Sequence, residues 1–285
     1  MPSHPLEPLV DLPGVADAVA EARAACEALR WHRALRRQWS VARTEVGIRC
    51  AQAGLEMDGV RVPLDLVRDV ARGAEQPPAG VQGELVLGAL RLQAEVERLM
   101  AAPGSTARAA TVPWGQLLAR LHAAVVAGGD PGTTGRPRTD HQPQDLRGLG
   151  EAPTGEVLAG RLAGLTELAG APLPPTVPAL VLAAVVHGEL LTLRPFDRGN
   201  GAVARAVLRL QLTQGGVDPV GVVVPEVAWR ALPNVHLGAA AGFATGTADG
   251  VAAWVRHCAQ AVVEGAQEGT RVADAVLAGR LSTVP

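Results

Sequence analysis

The segment from Arg194 to Arg205, RPFDRGNGAVAR, concentrates residue types that handle anions. Gly199-Asn200-Gly201 is a turn-forming triplet, and the AVARAVLRLQL that follows is a good helix-forming run. A helix start exposes unbonded N–H groups and a partial positive charge, and flanking glycines let a phosphate approach the backbone. Arg205 falls one turn into that helix, on the side of a bound anion. The plainer alternative is a glycine-rich helix start with a surface Arg, and the triplet alone does not separate the two. The charge is unusual: Arg198 precedes the first Gly, where phosphate chemistry commonly keeps an acid for a metal.

Other chemistries fit less well. GNGAVA also satisfies G-x-G-x-x-A, the dinucleotide fingerprint of NAD(P)- or flavin-dependent oxidoreductases, with Asp218 downstream and VGVVVPE as a candidate strand. That fingerprint needs a strand immediately before its first Gly, whereas here RPFDR intervenes after a long helical run. Ser3, Ser40, Ser105 and Ser282 lie outside any G-x-S-x-G context, so a serine-hydrolase elbow is absent. His187-Gly188-Glu189 matches H-x-E, but neither P-C-x-x-C nor H-E-x-x-H accompanies it, and no metal site is expected. His187 reads as a helical His packed near the motif loop and hydrogen-bonded to its backbone, and as a substitute base only if it faces the pocket.

The elements that must position this motif are helices. After a Pro-rich tail, residues 14 to about 37 and about 39 to 57 carry apolar positions at helical spacing, and Asp58-Gly59 stops the second run. VPLDLVRDVARG predicts a short helix between Pro63 and Gly73, and VQGELVLGALRLQAEVERLMAA is strongly amphipathic. VPWGQLLARLHAAVVAGG is another helix; the polar, Gly- and Pro-rich segment 130–153 after it is too long for a routine connector. Helices resume at GEVLAGRLAGLTELAG and at PTVPALVLAAVVHGELLTL, the latter apolar almost all round and so the expected central element. The motif follows it directly. Beyond lie an extended VVVPE and two further helical stretches ending near Leu281, with no internal repeat.

The stretch HGELLTLRPFDRGNGAVAR resembles the Fic-domain signature, His-Pro-Phe-x-(Asp/Glu)-Gly-Asn-Gly-Arg-x-x-Arg, preceded at seven residues by a helical His, here His187. The spacing agrees through Pro195, Phe196, Gly199, Asn200, Gly201 and Arg205. Upstream, RCAQAGLEMDGVRVPLDLVR is similar to the inhibitory helix of Fic proteins, (Ser/Thr)-x-x-x-Glu-(Gly/Asn). The resemblance implies an all-α bundle with a helical N-terminal extension and a short β-hairpin flap, which would fall at 130–153. It divides the chain into a flexible tail (1–13), a helical N-terminal region with the inhibitory motif (14–110) and a Fic-like core (111–281).

It also implies AMP transfer from ATP to a hydroxyl of a target protein. In that chemistry the motif His is the general base, the acid holds magnesium, the Gly-Asn-Gly backbone cradles the phosphates, and the last Arg meets the γ-phosphate or the inhibitory Glu. This sequence departs at the charged positions. Arg194 replaces the His, and a guanidinium cannot accept a proton near neutrality. Arg198 replaces the acid and would repel magnesium; Asp197, one step away, turns its side chain elsewhere. Ala202 replaces the first motif Arg, Gly54 stands for the Ser or Thr of the inhibitory motif, and Asp58 stands for its Glu, one methylene shorter. An Asp58–Arg205 pair would compete with nucleotide for the Arg. The expectation is a nucleotide- or anion-binding pseudoenzyme or regulatory module that uses Gly199, Asn200, Gly201, Arg205 and Arg198, with Phe196 and His187 structural beside the site. The alternative is an active, metal-independent transferase in which Arg194 and Arg198 clamp phosphate.

Composition sets the outer bounds. The 285 residues are 48% hydrophobic and 19% charged, with five Trp, two Phe and no Tyr, so the core must come from Leu, Val and Ala on closely approaching helices. Every basic residue is Arg, which reads as coding bias. A net charge of -2 gives no global field toward nucleic acid or an anionic membrane. The arginines Arg23, Arg30, Arg33, Arg36, Arg37, Arg43 and Arg49 alternate with Glu21, Glu27 and Glu45, as a solvated helix face does. Cys26, Cys50 and Cys258 form no CxxC and read as small buried hydrophobes in a reducing compartment. No leader pattern is seen at the start, and VPALVLAAVV is too short to span a bilayer. A cytoplasmic protein is expected, with an unidentified target protein and a second copy of the chain as candidate partners, and ATP or another nucleotide as candidate ligand.

Overall fold

The computed structural model describes residues 4–105 and 112–281, in which twelve α-helices and no strand are found. The expected boundary at 110/111, residues 1–3 of the tail, and Ser3 and Ser282 lie outside the described residues. The rest of the segment expected as a tail carries α1 (Glu7–Val10), with Leu6 in the core. Then follow α2 (Val15–Arg30), α3 (Leu35–Met57), α4 (Leu64–Arg72) and α5 (Val81–Leu99). The first long helix ends earlier than its periodicity suggests, at Arg30, and the chain turns before α3 begins at Leu35. His32 Nε2 lies 3.2 Å from Asp274 Oδ1, and residues 31–34 form a turn whose amides bond locally.

The second half comprises α6 (Trp114–Val125), α7 (Gly155–Gly170), α8 (Ala179–Leu193), α9 (Asn200–Gln214), α10 (Glu226–Ala231), α11 (Pro233–Ala244) and α12 (Ala248–Leu277). As its all-round apolarity predicts, α8 is central, with Val181, Ala183, Ala184, Val186 and Leu193 fully buried. Gly188 lets it approach α11 and α12 closely: a Cβ there would lie 2.7 Å from the rings of Phe243 and Trp254. Along α12, Gly265 and Gly269 form a groove for residues 222–225, so VVVPE is extended across a helix rather than within a sheet; Val224 N–H donates to Gly265 O at 3.2 Å. A smaller core of Ile48, Leu55, Val62, Val67 and Val86 unites α3, α4 and α5.

Two sequence expectations are corrected here. Segment 130–153 forms no β-hairpin; it carries one 3₁₀ turn, Arg147–Leu149. Its amides make local turns, as Thr134 N–H does on Asp130 O (3.0 Å), and two of them bond to the motif turn, Arg138 N–H donating to Pro195 O (2.8 Å) and Gln144 N–H to Asp197 O (2.7 Å). The Arg/Glu-rich face is only partly solvated. Arg43 and Glu45 are buried, with the Arg43 guanidinium on the Val220 and Ala101 carbonyls and Glu45 paired to Arg49 and Arg68. All three cysteines are free and buried. Among the described residues no helix is long and apolar enough to cross a membrane.

Candidate functional site

The motif is the connection between α8 and α9. Arg194 closes α8 in the left-handed region (φ 43°), and Gly199 opens α9 with φ 78°. Gly199 is required twice: by that φ, and because a Cβ would lie 3.0 Å from Val125. Asn200 ties the turn together. Its Oδ1 accepts the Phe196 N–H (2.8 Å), and its Nδ2 donates to Phe196 O (2.8 Å). Phe196 is buried and stacks on His122 with centroids 3.9 Å apart. The His122 Nδ1 accepts the Gly135 N–H (2.8 Å), which leaves Nε2 to donate to Arg198 O (3.2 Å). Burial holds its pKa down to about 4.

Arg205 lies one turn into α9 and is buried, as the spacing implies. Asp58, at the C-terminal end of α3, meets it through two oxygens, at 2.7 Å and 3.3 Å, and Gly54 O accepts a further hydrogen bond at 3.3 Å. The pair expected from two distant motifs is therefore formed despite the shorter Asp. Burial pulls the Arg205 pKa down, but the charge and hydrogen bonds of Asp58 outweigh it and the net shift is upward. Gly201 leaves the space this pair needs: a Cβ there would lie 3.0 Å from Arg205 Nη1 and 3.4 Å from Asp58 Oδ1.

The start of α9 already holds an anion supplied by the chain. Asp145, from segment 130–153, accepts the Asn200 N–H at 2.8 Å and the Asn200 Nδ2 at 2.7 Å. Burial raises its pKa, and the Asn200 hydrogen bonds oppose that rise. Asp145 escaped the sequence reading because it lies 55 residues from its partner, in a segment without periodicity. Its only sequence signal is an acid inside a long polar loop.

Arg194 and Arg198 do not share one pocket. Arg194 is buried, with Nη1 on Leu146 O (3.0 Å) and Nη2 on Gly150 O (2.9 Å). Arg138 braces the same junction, donating to Arg194 O (2.8 Å), Leu193 O (2.9 Å), His141 O (2.8 Å) and Pro153 O (2.7 Å). Burial and then Arg138 lower the Arg194 pKa. Arg198 is exposed and borders a separate cavity of about 210 Å³ with His122, Gly129, Asp130, Thr133 and Thr134. It is thus placed away from the Asn200–Arg205 cradle for which it was expected.

His187 is wholly buried and stacked on Trp229 (5.0 Å) and Trp254 (5.5 Å), with the Ala204 backbone of α9 beside its ring but no hydrogen bond of good geometry at either nitrogen. A ring cut off from solvent cannot serve as a substitute base. Burial lowers its pKa to about 3. Asp218, the candidate ribose ligand of the dinucleotide reading, is buried and caps the turn at Gly221 N–H (2.9 Å) and Val223 N–H (2.8 Å). With a helix before Gly199, the dinucleotide fold is excluded.

The donor set does not fit magnesium. A cation stands in the acid position, Asp197 is paired with His141, and Asp145 is engaged by Asn200. Among the described residues no cluster of three His, Cys, Asp or Glu side chains is arranged to hold a metal.

No protein-family model matches the sequence, and no curated protein does. Solved structures do match. A Fic family protein from Desulfovibrio desulfuricans G20 is similar with a TM-score of 0.71 at 22% identity, over 95% of this chain and 76% of that one. Fic-1 (residues 134–508) from C. elegans gives 0.61 at 18%, over 93% and 73%. A Fic domain containing signaling protein from Bacteroides thetaiotaomicron VPI-5482 gives 0.65 at 13%, over 90% and 97%. The chain thus has the all-α Fic-type fold.

Proposed function

We propose that this protein is a Fic-fold pseudoenzyme: a regulatory or interaction module that retains a phosphate-shaped turn and Arg205 but does not transfer AMP. The observation that carries the reading is Arg194. At the position where the Fic signature has its base stands a group that cannot take a proton, with its Nη1 and Nη2 on two loop carbonyls. The absence of a fitting magnesium donor set supports it further. The ligand of the turn is a nucleotide such as ATP, or another phosphate-bearing anion, held by the α9 N–H groups and Arg205 once Asp58 yields. The partner is a protein that the helical surface docks. Its setting is the cytoplasm, in keeping with three free cysteines. Incubation with labelled ATP, GTP, UTP or CDP-linked donors and a cell lysate, with and without magnesium, tests this. No label should pass to protein; transfer above background removes the pseudoenzyme reading.

A further inference from the structure

Asp145 belongs to no motif, yet its carboxylate takes the backbone N–H of Asn200 and the Asn200 amide at the start of α9. That is the place where the motif turn offers its donors to an anion. The residues around it are built to hold it there. Among the described residues only Leu146 (φ 52°) and Arg194 (φ 43°) are non-glycines with positive φ, and they are bonded to each other, Arg194 Nη1 donating to Leu146 O at 3.0 Å. Such backbone persists where surrounding contacts over-determine it, and it clusters at clamps and switches. Leu146 immediately follows Asp145, so its left-handed turn sets the direction from which the carboxylate enters. Arg194 also grips Gly150 O, and Arg138 ties His141 O and Pro153 O, on either side of Asp145, to the end of α8.

We propose that Asp145 is an internal plug of the anion cradle: Arg194 holds the 141–150 loop so that the chain's own carboxylate fills the seat of a ligand phosphate. This rests on the reading of the turn as a phosphate site and specifies its regulation. A ligand must lift the loop, exchanging Asp145 for a phosphate at the same donors. The plug is distinct from Asp58, which comes from α3 and neutralises Arg205 rather than the helix start. Two carboxylates from separate elements therefore guard one site, and release of either alone opens only half of it.

Calorimetric titration with ATP, and separately with inorganic triphosphate, in metal-free buffer tests the plug on the wild-type chain, Asp145→Ala, Asp58→Ala and the double variant. Far-UV dichroism checks that each is folded. Asp145→Ala should bind both probes at least about tenfold more tightly than wild type, the fold-change expected when a competing charge-assisted contact is removed. The double variant should bind more tightly still, and amide exchange across 141–150 should speed up in Asp145→Ala. If Asp58→Ala gains affinity and Asp145→Ala gains none, the plug is refuted while the phosphate-site reading stands. If Asp145→Ala loses affinity, Asp145 is a ligand contact and the plug is likewise refuted. If the folded double variant binds neither probe, the phosphate-site reading fails and the plug with it.

Discussion

At the scale of single residues, charge type decides the chemistry and burial decides the role. Arg194 shows both. A guanidinium cannot replace an imidazole base, and this one is buried against carbonyls rather than aimed at a substrate. Its Nε has no partner, so both hydrogen bonds of the side chain go to the loop. Arg194→Met keeps much of the apolar stem and removes two charge-assisted hydrogen bonds. Urea denaturation should show a loss of about 1.5–3 kcal/mol. An unchanged midpoint would mean that the clamp contributes nothing. The sequence revealed the substitution at 194 but not its partners, since the carbonyls of Leu146 and Gly150 carry no side-chain signature. The Arg205–Asp58 pair was legible because both ends fall within recognisable spacings, whereas Asp145 lies in neither.

At the scale of elements, glycine placement explains how helices built from Leu, Val and Ala approach so closely. The opposition of Gly188 to Phe243 and Trp254 permits α8 to pass beneath α11 and α12, and both rings are held in a packed aromatic group that includes His187 and His236. Gly188→Ala should therefore destabilise by about 1–3 kcal/mol through overpacking, although Ala is the better helix former. A thermal unfolding midpoint equal to or above that of wild type would contradict this packing. Helix periodicity located most elements, and Pro63 and Gly73 framed α4 as their chemistry dictates. Periodicity failed where partners outside the helix decide the outcome. After α2 the turn at 31–34 carries His32 to Asp274 of α12, and segment 130–153 is tied to the motif turn through the carbonyls of Pro195 and Asp197.

At the scale of the whole molecule, the fold keeps several histidines uncharged. His187 and His122 have pKa values lowered by burial to about 3 and about 4, and His236 is lowered well below its ordinary value by the same cause. The unfolded chain binds protons at these sites near pH 6.5, whereas the folded chain binds them only further down. Stability present above about pH 6.5 is therefore lost as pH falls toward 4 and 3, with a slope of up to about 1.4 kcal/mol per pH unit for each such His. His187→Phe, which preserves an aromatic ring among Trp229 and Trp254, should flatten that slope in denaturation measured from pH 7 to 4. An equal slope would show that His187 is not a source of acid sensitivity.

The whole-molecule account holds that the Fic-type architecture persists while the transfer chemistry is gone. The most direct measurement uses the Asp58→Ala/Asp145→Ala variant, in which both carboxylates that guard the cradle are removed. It is incubated with α-labelled ATP, magnesium and lysate, then denatured and counted for protein-linked label. The account predicts none, because opening the cradle supplies neither a base at 194 nor an acid at 198. Label that stays on protein after denaturation would contradict it.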